Sequence, residues 1–384
     1  MFERTKDLKL SVIKQIELEA SKYVDSISLA QGIASFDTPE CIKRRVQLAM
    51  ERGVVSKYSL SPGLPELREL IEVSLAKENM FYDWEKEVVV TAGSIEAITA
   101  TILAITNPGD EIIIPNPTYT SYREVITMAG CKAVYTPLVE ELEWSMQIDQ
   151  LAKEITPKTK AIFYCNPNNP TGTVYSKEQL IKLGELAEKY NLFIISDDVY
   201  KDFIYDEKVK FFSLAEIPEL RKRVIRIFSF SKAYSMTGWR VGYVHSDAEI
   251  MKEILKVHDC LVTCAPVISQ YAAMGALEMA DKDILLFKNE FKKRCDYACT
   301  RLDKLNEVFS YVKPNSSYYV FPHIANNSDS VVFAQELLEK THVAVVPGLA
   351  FGPNGKNNIR INFGRSEQDL CEAFDRIEKY FKNK

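Results

Sequence analysis

The chain is poor in the residues on which metal hydrolases depend. Its 384 residues include only four histidines (His245, His258, His323 and His342) and no HExxH pair, so no metal is expected. Eight cysteines are too few for a disulfide scaffold in a chain this long. Cys260/Cys264 and Cys295/Cys299 stand at C-x3-C spacing with His258 nearby. The same spacing sets two side chains on one helix face, and buried structural thiols are the reading adopted. No GxGxxG or Walker sequence occurs, so a nucleotide fingerprint is missing. Nor is there a basic block: 48 basic against 53 acidic residues give a formal charge of -5, which argues against a nucleic-acid partner. No apolar run approaches the ~18 residues that cross a bilayer. The start, MFERTKDLKLSVIKQIELEA, mixes charges with apolar residues and lacks a secretory core. A cytoplasmic protein away from membranes is expected.

What is present is an ordinary globular composition, 46% hydrophobic and 26% charged. At ~150 residues per domain the length predicts two or three units. Strand-like runs alternate with helical patterns: EVVVTAG (87–93), EIIIP (111–115), KAVYTP (132–137), AIFYCN (161–166), LFIISD (192–197) and VIRIFSF (224–230). The alternation predicts an α/β fold, a mostly parallel sheet sandwiched by helices, with strands apolar enough to be buried on both sides. Ser176 and Gln179 form a capping box before the helix SKEQLIKLGELAEKY. From about 286, charged helices flank short strands at YYVFP, VAVVPG and IRINF. The expected organisation is a large domain at 46–285 and a smaller α+β domain built from both termini, 1–45 and 286–384.

Ligands of open α/β sheets collect beyond the carboxyl ends of the strands, and four such ends carry chemistry-bearing residues. TAGSIEA (91–97) is a strand, a small turn and a helix start, where N–H groups can meet an anion; a plain βα turn would look the same. YCNPNNPTG (164–172) is an amide-rich turn, either a rigid loop or a source of donors. IISDDVY (194–200) ends an apolar strand in two acids, costly there unless paired or solvated. One of them could hold a protonated nitrogen or cap a helix. The run from Val224 passes Ser229, Ser231 and Lys232, turns at Thr237-Gly238 and reaches Arg240. Hydroxyls and a guanidinium suit a phosphate dianion. A lysine in that company becomes a usable nucleophile, although a solvated lysine is the commoner case.

Taken together, SFSKAYSMTGWRVGY, NPNNPTG, SDDVY and the late IRINFG resemble the class I/II aminotransferases, pyridoxal-phosphate enzymes of the aspartate-aminotransferase fold. The resemblance spans nearly the whole chain, through SLAQGIASFDTP (28–39), YSLSPGLPELRE (58–69), GDEIIIPNPTYTSY (109–122) and VAVVPGLAFG (343–352). It implies that Lys232 holds the cofactor covalently, and that Asp197, three before the tyrosine, faces the pyridine nitrogen. It implies Tyr200 and Asn169 at the phenolic oxygen, Tyr119 on the ring face, and Ser229, Arg240 and the turn Gly93-Ser94-Ile95 around the phosphate. Tyr58 is similar to a tyrosine that reaches the phosphate from the neighbouring subunit, which implies a homodimer with shared sites. Arg360 would clamp the substrate α-carboxylate, with Gly32 and Asn169 beside it. Lys232, Asp197 and Tyr200 are thus the expected catalytic residues. The implied reaction moves an amino group from an L-amino acid to a 2-oxo acid, 2-oxoglutarate or similar, by a ping-pong scheme.

The chain departs from the family pattern where substrate side chains enter. A GEPDFDTP-like opening is here Gly32-Ile33-Ala34-Ser35-Phe36-Asp37-Thr38-Pro39, and a frequent GAFY stretch is Ser316-Ser317-Tyr318-Tyr319. Ile95 stands where some aspartate-specific relatives have a lysine, which leaves a dicarboxylate substrate to a cation from elsewhere. Ile33, Phe36, Tyr119, Tyr318 and Tyr319 point to an apolar or aromatic side chain, or else pack the domain interface. Donors from aspartate to aromatic amino acids therefore stay open. A C–S lyase of the same fold, also using Lys232, is the alternative. A pyridoxal-phosphate sensor fused to a DNA-binding module would need a basic stripe, which is missing.

Overall fold

The apolar runs read as buried strands assemble into one eight-stranded sheet in the computed structural model, which describes residues 5–383. Residues 1–4 and 384, the outer ends of the expected terminal domain, lie outside the described residues. Across the sheet the order is Val88–Thr91, Gly242–His245, Val224–Ser229, Phe193–Asp197, Thr159–Cys165, Glu111–Asn116, Lys132–Val139 and Ser145–Met146. The run of five from Val224–Ser229 to Lys132–Val139 is parallel. Gly242–His245 is antiparallel to both its neighbours, and Ser145–Met146 is antiparallel to Lys132–Val139. These last two strands were not foreseen, being four and two residues long.

Burial on both faces explains the continuous apolar strands. Ile112 and Ile114 join one core with Ile98 and Val125, while Ile113 between them joins the other with Leu180 and Leu183. The alternation is the two-residue period of a strand, and each such side chain contributes roughly 1.5–3 kcal/mol by leaving water. Helices Ser94–Ile105 and Ala248–Val262 cover the first face, and Lys177–Lys189 covers the second. That last helix opens on the expected capping box: Ser176 Oγ accepts from Gln179 N at 3.2 Å, and Gln179 Oε1 accepts from Ser176 N at 3.0 Å.

The two ends of the chain meet. Ile27–Ser28 pairs in parallel with Val343–Ala344. Tyr319–Val320, Ile359–Asn362 and Val346–Pro347 make an antiparallel three-stranded sheet beside helices Asp281–Asp303 and Glu367–Lys382. One cysteine expectation needs correcting. Cys295 and Cys299 are both buried, but Cys260 is exposed and only Cys264 of that pair is buried. The helix ends at Val262, and the left-handed Thr263 (φ 63°) turns Cys264 off its face. Among the described residues no group of three or more His, Cys, Asp or Glu is placed to hold a metal, and no helix is long and apolar enough to cross a membrane.

Candidate active site

Parallel strands end on one edge, and an antiparallel strand begins on that same edge. Asp197 and Ser229 therefore close two parallel strands beside Arg240, which lies just before Gly242–His245. A cavity of about 630 Å³ opens at this edge, a size suited to a small ligand. Of the expected residues, Gly32, Ser94, Ile95, Tyr119, Asn169, Asp197, Tyr200, Ser229, Lys232, Arg240 and Arg360 line it. Gly93 lies directly behind, at the start of helix Ser94–Ile105. Its φ of 84° is a left-handed value, and a Cβ there would come within 2.6 Å of Arg240 Nη2. The positive φ is what favours glycine here, since the Arg240 tip could swing aside. Tyr58 is the exception: it stands outside the cavity and is 84% exposed.

Ser229 caps the short helix Phe230–Ala233, its Oγ accepting from Ser231 N at 3.2 Å. This helix delivers Lys232 into the cavity, where Nζ donates to Gly32 O at 2.7 Å. Burial lowers the Lys232 pKa to about 7, helped by the positive charges of Arg360 and Arg240 and opposed by Asp197. Asp197 moves the other way: burial raises it to about 7, against a hydrogen bond from Tyr122. That bond, Tyr122 Oη to Asp197 Oδ2, is 2.7 Å long. Oδ1 is buried and has no hydrogen-bond partner among the described residues. Asp198, one residue on, faces away and is held by Arg226 and Ser213. The strand period thus selects Asp197 for the cavity.

Arg360, fully buried, donates from Nη1 to Asn169 Oδ1 at 3.0 Å and from Nη2 to Ala30 O, while its Nε has no partner among the described residues. Its guanidinium lies over the Tyr319 ring at 4.3 Å. Tyr319 Oη is 3.1 Å from Tyr200 Oη, and a Cβ on Gly32 would run into the Tyr319 hydroxyl. Ile33, Tyr119 and Tyr319 line the cavity, but Phe36 and Tyr318 do not. Phe36 stacks on Phe287 with ring centres 4.3 Å apart and serves the core, while Tyr318 packs on Phe291 at 5.1 Å and its Oη donates to Gly32 O at 3.2 Å.

Sequence reasoning passed over Tyr122, Cys165 and Lys14. Tyr122 stands in the first turn of helix Ser121–Met128, just after the loop that carries Tyr119. Cys165 pairs in register with Asp197. Lys14, on helix Val12–Ala20, reaches the cavity lining from the N-terminal part of the chain. Nothing in its local sequence distinguishes it from an ordinary surface charge.

A family model described as aminotransferase class I and II matches residues 24–377. The chain is similar to the aspartate aminotransferase of Pyrococcus abyssi, 36% identical over 388 residues that cover 100% of this chain and 99% of that protein. It is also similar to the probable N-acetyl-LL-diaminopimelate aminotransferase of Bacillus subtilis, 35% identical, covering 98% of this chain and 94% of that one. In three dimensions it is similar to the aromatic aminotransferase of Pyrococcus horikoshii, with a TM-score of 0.90 at 34% identity, over 96% of this chain and 99% of the other. A match that runs through both the cavity and the scaffold behind it makes the chain a member of the class I and II aminotransferases, and with that family a pyridoxal-phosphate-dependent transaminase.

Proposed function

We propose that this cavity holds pyridoxal phosphate and transfers the amino group of a dicarboxylic L-amino acid, aspartate or a close analogue, to 2-oxoglutarate by a ping-pong scheme. The observation that carries the reading is the meeting of Lys232 Nζ and Asp197 in one cavity, neither paired with an opposite charge among the described residues. The residues fit the cofactor. The partnerless Asp197 Oδ1 suits a ring N–H. The Gly93–Ile95 turn, at a helix start beside Arg240, suits a phosphate. Ser229 adds a hydroxyl on that side, and Tyr119, Tyr200 and Asn169 are available to the ring and its phenolic oxygen.

Bound there, the cofactor supplies an electron sink for the pair left when an amino acid loses its α-proton. Asp197, when ionised, favours a protonated ring nitrogen through its negative charge. Lys232, neutral above about 7, takes the proton at Cα and returns it. Arg360 has an unused Nε and offers a planar fork to the α-carboxylate. Among the described residues, four cations line the cavity (Lys14, Lys232, Arg240 and Arg360) against the single carboxylate of Asp197. With three of them assigned, Lys14 is left for a second substrate carboxylate, the cation that Ile95 does not supply. The elimination alternative is not favoured, since the similar proteins carry aminotransferase names.

The exposed Tyr58 supports a homodimer in which it reaches the partner's phosphate. Eight free cysteines support a reducing, cytoplasmic setting. The direct test is borohydride reduction of the yellow protein followed by peptide mapping. The label is expected on Lys232, and a label on any other lysine rejects the reading.

A further inference from the structure

His258 is fully buried on helix Ala248–Val262 and does not line the cavity. Its Nδ1 lies 3.1 and 3.2 Å from the two oxygens of Glu96, and its Nε2 lies 3.0 Å from Ser61 O. A carbonyl can only accept, and Glu96 Oε2 already accepts from Ala92 N at 3.0 Å. Nε2 thus faces the Ser61 carbonyl, and Nδ1 faces the Glu96 carboxyl on the other side, both within hydrogen-bond distance. An apolar pair would fill the same volume without the cost of burying charge. What the polar pair adds is directional anchoring of two backbone segments.

Those segments are two of the ones that the reading above sets at the phosphate, beside Ser229 and Arg240. Glu96 sits in the first turn of helix Ser94–Ile105 and grips Ala92, so it fixes both sides of Gly93. Ser61 belongs to the loop that carries Tyr58. The loop is held again by Ser61 Oγ, 2.7 Å from both Asp259 Oδ1 and Thr263 O, and by Gln270, which bonds Leu64 N at 2.7 Å and Ser59 Oγ at 3.0 Å. We propose that His258 is a positioning residue for the cofactor's phosphate, tying the Gly93–Ile95 turn to the Tyr58 loop. The inference rests on the phosphate reading of that turn given above. It also couples this chain's own phosphate turn to the tyrosine it would lend to a partner subunit.

The test compares pyridoxal phosphate with pyridoxal, which lacks the phosphate, by spectroscopic titration of the full chain stripped of cofactor. His258→Leu is expected to weaken pyridoxal phosphate about tenfold, the scale of one hydrogen bond to a charged group, and to leave pyridoxal unchanged. His258→Asn, whose amide can still reach Glu96, is expected to recover part of the loss. Equal weakening of both ligands, or of neither, overturns the proposal, because a merely structural histidine has no reason to single out the phosphate. If His258→Leu fails to fold, Glu96→Gln is titrated instead, with a smaller phosphate-selective loss expected and its absence counting against the proposal. A wild-type chain that does not prefer pyridoxal phosphate over pyridoxal would instead reject the phosphate site itself.

Discussion

Tyr122 Oη donates to Asp197 Oδ2 at 2.7 Å, and this bond divides the carboxylate into a held oxygen and a free one. Tyr122 comes from helix Ser121–Met128 and Asp197 from the end of a central strand. The bond fixes which way the carboxylate points and stabilises its ionised form against burial.

Tyr122→Phe deletes the donor and keeps the ring, which packs on Phe163 with centres 4.0 Å apart. Asp197 then ionises less readily and holds a ring-nitrogen proton less firmly. A loss of about tenfold in kcat is expected, the worth of one hydrogen bond to a charged group, with KM and melting temperature little changed. Asp197→Asn in the same assay sets the lower limit of activity. Unchanged turnover in Tyr122→Phe would mean that the hydroxyl does not matter to the carboxylate.

Much of this site was legible because its residues sit where local chemistry is odd. Two acids at the end of an apolar strand and a lysine behind a serine-capped turn are costly unless used. The strand order was less legible: Gly242–His245 inserts antiparallel between Val88–Thr91 and Val224–Ser229, a pairing set by tertiary packing. The roles of Tyr122, Lys14 and the Glu96–His258 pair escaped for the same reason. Tyr122 acts on Asp197 and Glu96 on His258 across 75 residues or more of chain, Lys14 comes to the cavity from the far N-terminal part, and no spacing records that. Phe36 and Tyr318 followed the packing alternative that their sequence position left open, their rings lying against Phe287 and Phe291.

Lys232 carries its own pH signature. With its pKa lowered to about 7, chiefly by burial, the amine is protonated and inert below that value and free to attack above it. Asp197, raised to about 7, ionises over the same window. Capture of pyridoxal phosphate by the cofactor-free protein should therefore accelerate as pH rises through about 7 and level off above it. Stopped-flow absorbance across a pH series decides the matter. A rate that climbs only in the ordinary range of lysine would show that the amine is not perturbed.

Arg360 is fully buried, and its known partners, Asn169 Oδ1 and Ala30 O, are neutral. A substrate carboxylate would give it the opposite charge it lacks. Arg360→Ala should raise KM for amino and oxo acids alike by about 10- to 100-fold, as expected when a charged hydrogen-bonding pair is removed. Cofactor absorbance should be retained. Loss of only one substrate class would show that Arg360 is not the common clamp.

Lys14 separates the substrate classes. It lies on the cavity lining, and the proposed reading gives the α-carboxylate to Arg360. It is exposed, so its pull on a distal carboxylate is screened by water and salt, and an effect of about fivefold is a reasonable scale. Lys14→Gln should raise KM for aspartate and 2-oxoglutarate by that factor, and more visibly at low ionic strength. Phenylalanine and tyrosine, which carry no second carboxylate, should be unaffected. A parallel rise for the aromatic donors would make Lys14 part of the general closure over the site. No change for any donor would return the dicarboxylate preference to another cation, or to none.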